Sequence, residues 1–434
     1  MMRQLNVYEA AMKRIGFIFD HFDYVYVSFS GGKDSGVLLN LAIDYIRQYA
    51  PHRKLGVFHI DYEAQYKQTT DYVERTLAQN QDILEVFHCC VSFKVQTCTS
   101  MYQSYWRPWE EEKKDLWVRE LPKNCLTMKD FEFMTDEMWD YDFQYLFGPW
   151  LSRKKGGVSV CSLVGIRTQE SYHRWRTIHS ERNYRHYLGK KWTYTVDKKV
   201  CNSYPMYDWL VEDVWTANGR FGWDYNRLYD LYYQAGLPVN KQRVASPFIS
   251  QAIPTLHIYR VIDPDMWGKM ISRVNGVNFA GLYGKSVAMG WKNIQCPEGF
   301  SWKNYMYFLL STLPEKARNN YLDKLRVSIR FWREKGGCLA SSTIEKLEKR
   351  GIPFTMGETT NYRTNKKPVR MEYMDDIDIE EFQELPTYKR VCICIMKNDH
   401  VCKYMGFAIT KQEKERRERV MLKYKSLKYD NKQL

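Results

Sequence analysis

The chain has 434 residues, of which 44% are hydrophobic and 15% aromatic, and its formal net charge at pH 7 is +14. This composition excludes an intrinsically disordered protein and provides enough core for two or three domains, while the basic charge implies anionic partners. No run approaches eighteen apolar residues and the 11 cysteines lack framework spacing, so we expect a cytoplasmic protein that is neither membrane-spanning nor secreted.

The N-terminal region predicts a helix, a strand and a loop in succession. Residues 1–22 lead into an amphipathic helix rather than an apolar signal segment. The β-branched and aromatic run Tyr24–Phe29 then predicts a strand, and Gly36–Tyr49 a helix with Ser35 as its N-cap. Between them lies the loop Ser30-Gly31-Gly32-Lys33-Asp34-Ser35.

The two adjacent glycines of this loop free backbone N–H groups to form an anion nest at the positive end of the following helix. The segment therefore predicts a phosphate-binding loop, with an ordinary turn and helix cap as the alternative. It is not a Walker loop, because Val27 occupies the position where that motif requires glycine. Gly284-Lys285-Ser286 fails the same test, since Phe279 stands there.

Strand and helix alternate after this loop. The pattern predicts a strand at Leu55–Ile60, a helix at about Tyr66–Gln79 and a strand at Ile83–His88. We therefore expect an α/β fold with a mostly parallel sheet and flanking helices, whose ligands lie beyond the carboxyl ends of the strands. Asp61 lies at such an end, close to Glu63, and is a candidate for binding a ribose hydroxyl or Mg²⁺. The alternative is a carboxylate that caps a turn.

Residues 91–157 interrupt the alternation with an insertion rich in tryptophan and tyrosine, interspersed with acidic residues. Such a composition suggests a lid or an acceptor-binding subdomain.

A second constellation follows the insertion. Val158–Ile166 predicts a buried strand, and a helix is expected to begin at Arg167. Arg167 and Arg174 could clamp an anion bidentately at the strand end, with Glu170 as an anchor for one arginine. A nearby basic patch that could extend the anion site comprises Arg182, Arg185, Lys190, Lys191, Lys198 and Lys199.

These segments resemble a known family. Ser-Gly-Gly-Lys-Asp-Ser at 30–35 resembles the PP-loop, and Gly-Ile-Arg-x-x-Glu-Ser-x-x-Arg at 165–174 resembles a motif of phosphoadenosine phosphosulfate (PAPS) reductase-like proteins. Residues 20–245 are therefore similar to the PP-loop ATP pyrophosphatase and PAPS reductase-like family. The resemblance implies the adenine nucleotide alpha hydrolase-like fold. It continues through Tyr204–Trp209, Asp213–Trp215 and Tyr225–Asp230.

The chain departs from the reductases in its cysteines. True PAPS reductases carry a mobile cysteine in a Glu-Cys-Gly-x-His tail, which the last residues, Lys423–Leu434, lack. Cys89-Cys90 has no later Cys-x-x-Cys to complete an iron–sulfur site, so we do not expect a cluster. Cys392, Cys394 and Cys402 are a candidate metal set, but the alternation around them predicts a strand with buried thiols.

Residues 246–434 are expected to form a mainly α C-terminal domain beyond the nucleotide-binding domain at 23–245. Helices are predicted at Trp302–Leu313 and Glu315–Lys335. A basic helix at Lys411–Lys428 is either a solvated terminal helix or a nucleic-acid-binding surface.

Two C-terminal segments, Arg273–Ala280 and Arg390–Asp399, resemble a branch of the family that carries a C-terminal domain of unknown function, the immunoglobulin-binding regulator A type. The resemblance implies a ParB-like partner protein.

Our hypothesis is that the protein binds ATP or a related adenine nucleotide with Mg²⁺, cleaves at the α-phosphate, and releases pyrophosphate. The acceptor could be water, which would make the protein an ATP pyrophosphatase, or it could be a nucleic acid or a protein, which would be adenylated or activated. Lys33, Arg167 and Arg174 are the expected catalytic residues. The alternatives are reduction or sulfur transfer from PAPS, and a nucleotide-dependent regulator that binds DNA or a partner without turnover. The expected nucleotide-binding residues are Ser30, Gly31, Gly32, Lys33, Asp34, Ser35, Asp61, Glu63, Gly165, Arg167 and Glu170.

Overall fold

The computed structural model of the chain describes residues 5–179, 185–284, 294–357 and 366–407. They fall into two compact units. The first unit comprises the described residues of Met1–Val95, Arg107–Ser246 and Ile258–Met270. The second comprises those of Gln96–Trp106, Pro247–His257 and Ile271–Leu434.

The described residues form strands and helices throughout both units. The strands are β1 (Tyr24–Ser28), β2 (Leu55–Ile60), β3 (Leu84–Cys89), β4 (Val95–Gln96), β5 (Tyr105–Trp106), β6 (Val160–Leu163), β7 (Thr193–Thr195), β8 (Val200–Ser203), β9 (Gly337–Leu339), β10 (Thr355–Met356) and β11 (Lys367–Arg370). The helices are α1 (Val7–His21), α2 (Lys33–Tyr49), α3 (Lys67–Gln79), α4 (Asp140–Lys154), α5 (Tyr172–His179), α6 (Val211–Phe221), α7 (Leu228–Gln234), α8 (Tyr259–Ile262), α9 (Pro264–Arg273), α10 (Val277–Tyr283), α11 (Trp302–Ser311), α12 (Glu315–Glu334), α13 (Ser341–Lys349) and α14 (Tyr388–Met396).

The first unit is built on a six-stranded sheet in the order β3-β2-β1-β6-β8-β7. Neighbouring strands from β3 to β8 are parallel, and β7 pairs antiparallel with β8. The predicted α/β class with a mostly parallel sheet and flanking helices is therefore confirmed.

Both faces of the sheet are covered, and successive side chains of β1 are buried on opposite faces. Val25 and Val27 point to one face, where they share a core with α1, α2 and α6. Tyr26 points to the other, where its ring meets Phe147 of α4 at 5.4 Å between centroids. Burial on both faces accounts for the nearly continuous apolar sequences of β1 and β2, because central parallel strands covered by helices have no solvated face.

Helix α4 lies within the predicted insertion, and its apolar face carries the buried side chains Phe143, Phe147 and Trp150. The ring of Phe147 stacks on Phe58 of β2 at 3.9 Å between centroids. The helix is thus a layer of the unit itself, whereas the sequence suggested a lid or an acceptor-binding subdomain. Sequence composition could not distinguish the two, because aromatic residues serve a core and a binding surface equally well.

The chain order of the strands creates a crevice at β1. The chain passes from β1 to β2 and β3 on one side, then returns to place β6 on the other. In open parallel sheets such a switch point lies beside the ligand site, because the loops that follow its two strands diverge. The loops after β1 and β6 are those that carry the two sequence motifs.

In the second unit, α11, α12 and α14 share a hydrophobic core, and β9, β10 and β11 form an antiparallel sheet. The predicted helices around Trp302 and Glu315 are present as α11 and α12. The strand predicted around Cys392 is wrong, because this segment is helix α14, capped by the Thr387 side chain. The prediction that its thiols are buried is correct, since Cys392 and Cys394 are fully buried.

The basic helix predicted at Lys411–Lys428 lies outside the described residues. Within the described ranges, the helices are too short or too polar to cross a lipid bilayer.

Candidate functional site

The loop after β1 contains a left-handed glycine and leads directly into helix α2. Gly31 has a φ of 73°, which disfavours any residue with a Cβ, and a Cβ there would also lie only 2.9 Å from Val73. Both the backbone angle and the lack of space therefore require glycine. Gly32 is the N-cap residue of α2. The N-terminus of the 17-residue helix α2, which carries a partial positive charge, therefore lies at this loop, at the carboxyl end of β1.

Ser35 plays a different part from the one predicted. The helix begins at Lys33 rather than Gly36, so Ser35 lies inside the first turn. Its hydroxyl donates to the Gly32 carbonyl at 3.1 Å and accepts from the Ser30 amide at 3.2 Å. These two hydrogen bonds of Ser35 close the loop onto itself and hold it in shape.

Lys33 is buried, with 7% of its surface exposed. Its ammonium group pairs with Asp34 at 3.1 Å, and its amide donates to the Tyr229 hydroxyl at 3.0 Å. Burial raises the pKa of the Tyr229 phenol, so this hydroxyl stays neutral. The Asn226 side-chain amide donates to the Gly31 carbonyl at 2.9 Å and to Thr69 at 2.9 Å. Asn226 and Tyr229, which belong to the segment Tyr225–Asp230, therefore support the loop. The sequence had not indicated this role for them.

The segment after β6 packs directly against this loop. A Cβ at Gly165 would lie 3.2 Å from the backbone of Asp34 and Ser35. Arg167, which is 3% exposed, donates from Nε to Asp34 at 2.6 Å and from Nη1 to Gln169 at 3.0 Å. Lys33 and Arg167 thus share one carboxylate, and two buried cations converge at the crevice.

Glu170 lies near both arginines, whereas the sequence suggested an anchor for one of them. One of its oxygens lies 3.7 Å from Nε of Arg167, and the other forms an ion pair with Arg174. The predicted helix start is instead a 3₁₀ turn, Thr168–Glu170, followed by α5. The Arg174 side chain is 40% exposed and lies on the solvent side of the cluster.

The Asp61 carboxylate contacts the side chains of Arg119 and His88. It is 1% exposed, ion-pairs with Arg119 and lies 3.1 Å from Nε2 of His88. Burial alone would raise its pKa, but the hydrogen bond from His88 and the charge of Arg119 hold the pKa of this carboxyl well below its usual range. The Glu63 carboxylate accepts from the amides of Trp109 at 2.6 Å and Val118 at 3.2 Å, so it anchors the insertion.

Sequence reasoning missed His59 and His88 beside Asp61. They are register partners on β2 and β3, and their rings lie 5.0 Å apart. Burial lowers the pKa of His59 to about 4, so its ring is neutral. The sequence did offer a sign of this pair, because each of the two predicted neighbouring strands carries one histidine near its carboxyl end.

The described residues of the basic patch after the arginine motif lie in more than one place. Lys199 precedes β8 and donates to the carbonyl of Gly157, which precedes β6, so it lies at the amino end of the sheet. Lys190 and Lys191 are exposed and lie over the rings of Phe17 and Tyr207. Arg182 is outside the described residues.

The thiols near the loop are inaccessible. Cys89, Cys90 and Cys161 are each buried, and burial raises the pKa of all three. In the second unit, burial raises the pKa of Cys392 to about 12. Within the described ranges, Cys392, Cys394 and Cys402 do not form a group of converging metal ligands.

Two known families match consecutive segments of the chain. The phosphoadenosine phosphosulfate reductase domain matches residues 24–235. A domain of unknown function (DUF3440) matches residues 236–416. The uncharacterized protein YbdN of Escherichia coli (strain K12) is 32% identical over 418 residues, covering 95% of this chain and 93% of that protein.

Solved structures give more distant matches. The PAPS reductase of Candida auris, in a phosphate complex, is 15% identical with a TM-score of 0.30, covering 55% of this chain and 88% of its own. The FMN adenylyltransferase of Candida glabrata is 14% identical with a TM-score of 0.31, covering 51% and 57%. The U34-tRNA thiolase NcsA of Methanococcus maripaludis is 12% identical with a TM-score of 0.29, covering 64% and 79%.

The order of the motifs, the sheet that carries them and the full-length likeness to YbdN agree. The chain therefore belongs to the PAPS reductase-like family, in the group that joins this domain to the C-terminal domain of unknown function.

Proposed function

We propose that the protein binds ATP at the crevice between β1 and β6 and cleaves it between the α- and β-phosphates. The adenylyl group passes to an acceptor and pyrophosphate leaves. The observation that carries this proposal is the convergence of two buried cations, Lys33 and Arg167, on Asp34 at the N-terminus of α2.

Buried cations beside a helix N-terminus favour a multiply charged anion. The helix end offers backbone N–H groups and a partial positive charge, which suits phosphate oxygens. Asp34 and Glu170 hold Lys33, Arg167 and Arg174 in place, so the side chains are positioned before a nucleotide arrives. A preorganised site of this kind loses little energy to reorganisation during the reaction.

In the proposed reaction, an oxygen or nitrogen of the acceptor donates its electron pair to the α-phosphorus. The bond from that phosphorus to the bridging oxygen breaks, and the oxygen leaves with the bonding pair as part of pyrophosphate. The acceptor releases its proton to solvent. Lys33, Arg167 and Arg174 stabilise the charge that accumulates on the departing pyrophosphate, so catalysis rests on positioning and electrostatics.

The surroundings of Asp61 do not fit Mg²⁺. Mg²⁺ requires oxygen ligands in octahedral geometry. The Asp61 carboxylate is instead surrounded by His88, Arg119 and the Glu63 amide. We therefore assign no step of the reaction to a magnesium ion held by this residue.

The acceptor of the adenylyl group is expected to be anionic, because the protein is strongly basic. The net charge of +14 favours an anionic macromolecule, and we propose a nucleic acid. By resemblance to the immunoglobulin-binding regulator A type, a ParB-like partner protein would act with it. Eleven cysteines without framework spacing fit the reducing cytoplasm.

The test is incubation of the purified full chain with α-labelled ATP and Mg²⁺, with and without DNA, tRNA and cell extract, followed by separation of the labelled products. AMP, or a macromolecule tagged with AMP, supports the proposal and identifies the acceptor class. Labelled product must also disappear in the Lys33→Ala variant.

Two outcomes would overturn the proposal. Intact ATP combined with consumption of PAPS would favour reduction or sulfur transfer. Intact ATP combined with nucleotide-dependent and salt-sensitive DNA binding would favour a regulator without turnover.

A further inference from the structure

His59, Asp61 and His88 converge at the carboxyl ends of β2 and β3. His59 and His88 are paired in the parallel register, and Asp61 directly follows β2. One ligand atom from each of the three lies within 4.8 Å of the others. The proposed reaction gives this cluster no role.

We propose that these three side chains bind a divalent transition-metal ion of the zinc class. Nε2 of His88 and Oδ2 of Asp61 are 3.1 Å apart. Two ligands of a tetrahedral zinc ion, each at about 2.0–2.1 Å from the metal, lie about 3.3 Å from one another. A divalent ion would replace the proton of the hydrogen bond between these two atoms at nearly unchanged spacing.

The hydrogen bonds around the cluster orient its lone pairs. Nδ1 of His59 donates to the Phe29 carbonyl at 2.8 Å, which leaves Nε2 as the ligand atom. Oδ1 of Asp61 accepts from the Glu63 amide at 2.9 Å and from Arg119, which leaves Oδ2 for the metal. Partners of this kind fix the tautomer of a histidine ligand and the orientation of a carboxylate ligand.

The donor set selects the metal class. Two imidazoles and one carboxylate suit Zn²⁺, Fe²⁺, Co²⁺ or Ni²⁺ and do not suit Mg²⁺. His59 and Asp61 are fully buried, while the His88 side chain is 15% exposed. Three protein ligands with one partly open side leave a coordination position for solvent or a ligand.

The cluster lies beside the phosphate-binding loop, because the Phe29 carbonyl that holds His59 belongs to the residue immediately before Ser30. The metal site is nevertheless built from different residues. Metal binding is therefore measurable whether or not ATP is the substrate.

The test is a titration of the full chain with Co²⁺ and Zn²⁺ after treatment with EDTA and dialysis. We expect one equivalent of Co²⁺ with visible d–d bands, displacement by Zn²⁺ and not by Mg²⁺, and a rise in thermal midpoint with Zn²⁺. His88→Gln and Asp61→Asn should each weaken Zn²⁺ binding at least about tenfold. The matched control is His52→Gln, which alters an exposed histidine elsewhere and should keep wild-type affinity.

Circular dichroism of each metal-free variant establishes that it is folded. His88→Gln is the decisive variant, since His88 is the most exposed of the three and its replacement disturbs the core least. Absence of stoichiometric Zn²⁺ binding by the wild type would overturn the proposal. Undiminished affinity in folded His88→Gln and Asp61→Asn variants would do the same.

Discussion

Arg167 donates from Nε to Oδ1 of Asp34 at 2.6 Å, so a buried ion pair joins the segment after β6 to the first turn of α2. The two residues are 133 positions apart in sequence. This contact unites two separate sequence motifs into one site.

Replacing Arg167 with lysine should lower nucleotide turnover. Arginine contacts Asp34 and Gln169 at once, whereas a lysine ammonium is a point charge without that fork. We expect kcat/KM to fall at least about tenfold, or about 1.4 kcal/mol. The matched control is Arg75→Lys, in an exposed ion pair with Asp224, which should keep wild-type kinetics. Equal kinetics in the two variants would exclude a role for the arginine fork.

Lys33→Ala should abolish turnover while the fold survives. The substitution removes a cation from the loop, but Asp34 keeps its ion pair with Arg167. We expect a loss of at least about 100-fold in kcat, comparable to deletion of one oxyanion donor. Lys67→Ala, in an exposed pair with Asp71, is the control. Circular dichroism and thermal unfolding check the fold, and unchanged turnover would contradict the site assignment.

Gly165→Ala should weaken nucleotide binding through the backbone. The added Cβ would lie 3.2 Å from backbone atoms of Asp34 and Ser35, so the loop must shift by a few tenths of an ångström. We expect about tenfold lower affinity and a loss of about 1–3 kcal/mol in the free energy of unfolding. Gly219→Ala is the control, because nothing lies within 4 Å of a Cβ there. Calorimetric titration with ATP measures the difference, which should be absent in the control.

The buried thiols should not react in the native protein. Cys89, Cys90 and Cys161 are buried with raised pKa values, so little thiolate is present near neutral pH. Alkylation followed by mass spectrometry should instead label the partly exposed cysteines first, namely Cys125, Cys296 and Cys338. Fast labelling of Cys90 or Cys161, with loss of activity, would revive the sulfur-transfer hypothesis.

The stability of the second unit should fall in mild acid because of His400. Its Nε2 donates to the Ser100 carbonyl at 3.0 Å, and burial lowers its pKa below the ordinary 6.5. The unfolded chain therefore binds the proton first as pH falls below about 6.5, which favours unfolding by at most about 1.4 kcal/mol per pH unit.

Urea unfolding followed from pH 7.5 to 5.5 measures this dependence. His400→Gln should reduce the slope, whereas His52→Gln, at an exposed histidine, should leave it unchanged. An identical slope in wild type and His400→Gln would contradict the assignment.

The sequence by itself determined the features that depend on local patterns. The β-branched and aromatic run at Tyr24–Phe29, the apolar run at Leu55–Ile60 and the periodicity of α11 and α12 predicted their elements to within a few residues. The adjacent glycines at Ser30–Ser35 predicted a loop that leads into a helix, and the structure has a loop there followed by α2.

Only the tertiary structure decided where elements met and which pattern prevailed. The apolar run at Cys392 fits a short strand or a helix, and Thr387 capping with burial on all sides selected the helix. Likewise His59, Asp61 and His88 come together through strand register, and Asn226 and Tyr229 reach the loop from almost 200 residues away. Such contacts depend on the packing of distant segments, and no local periodicity encodes them.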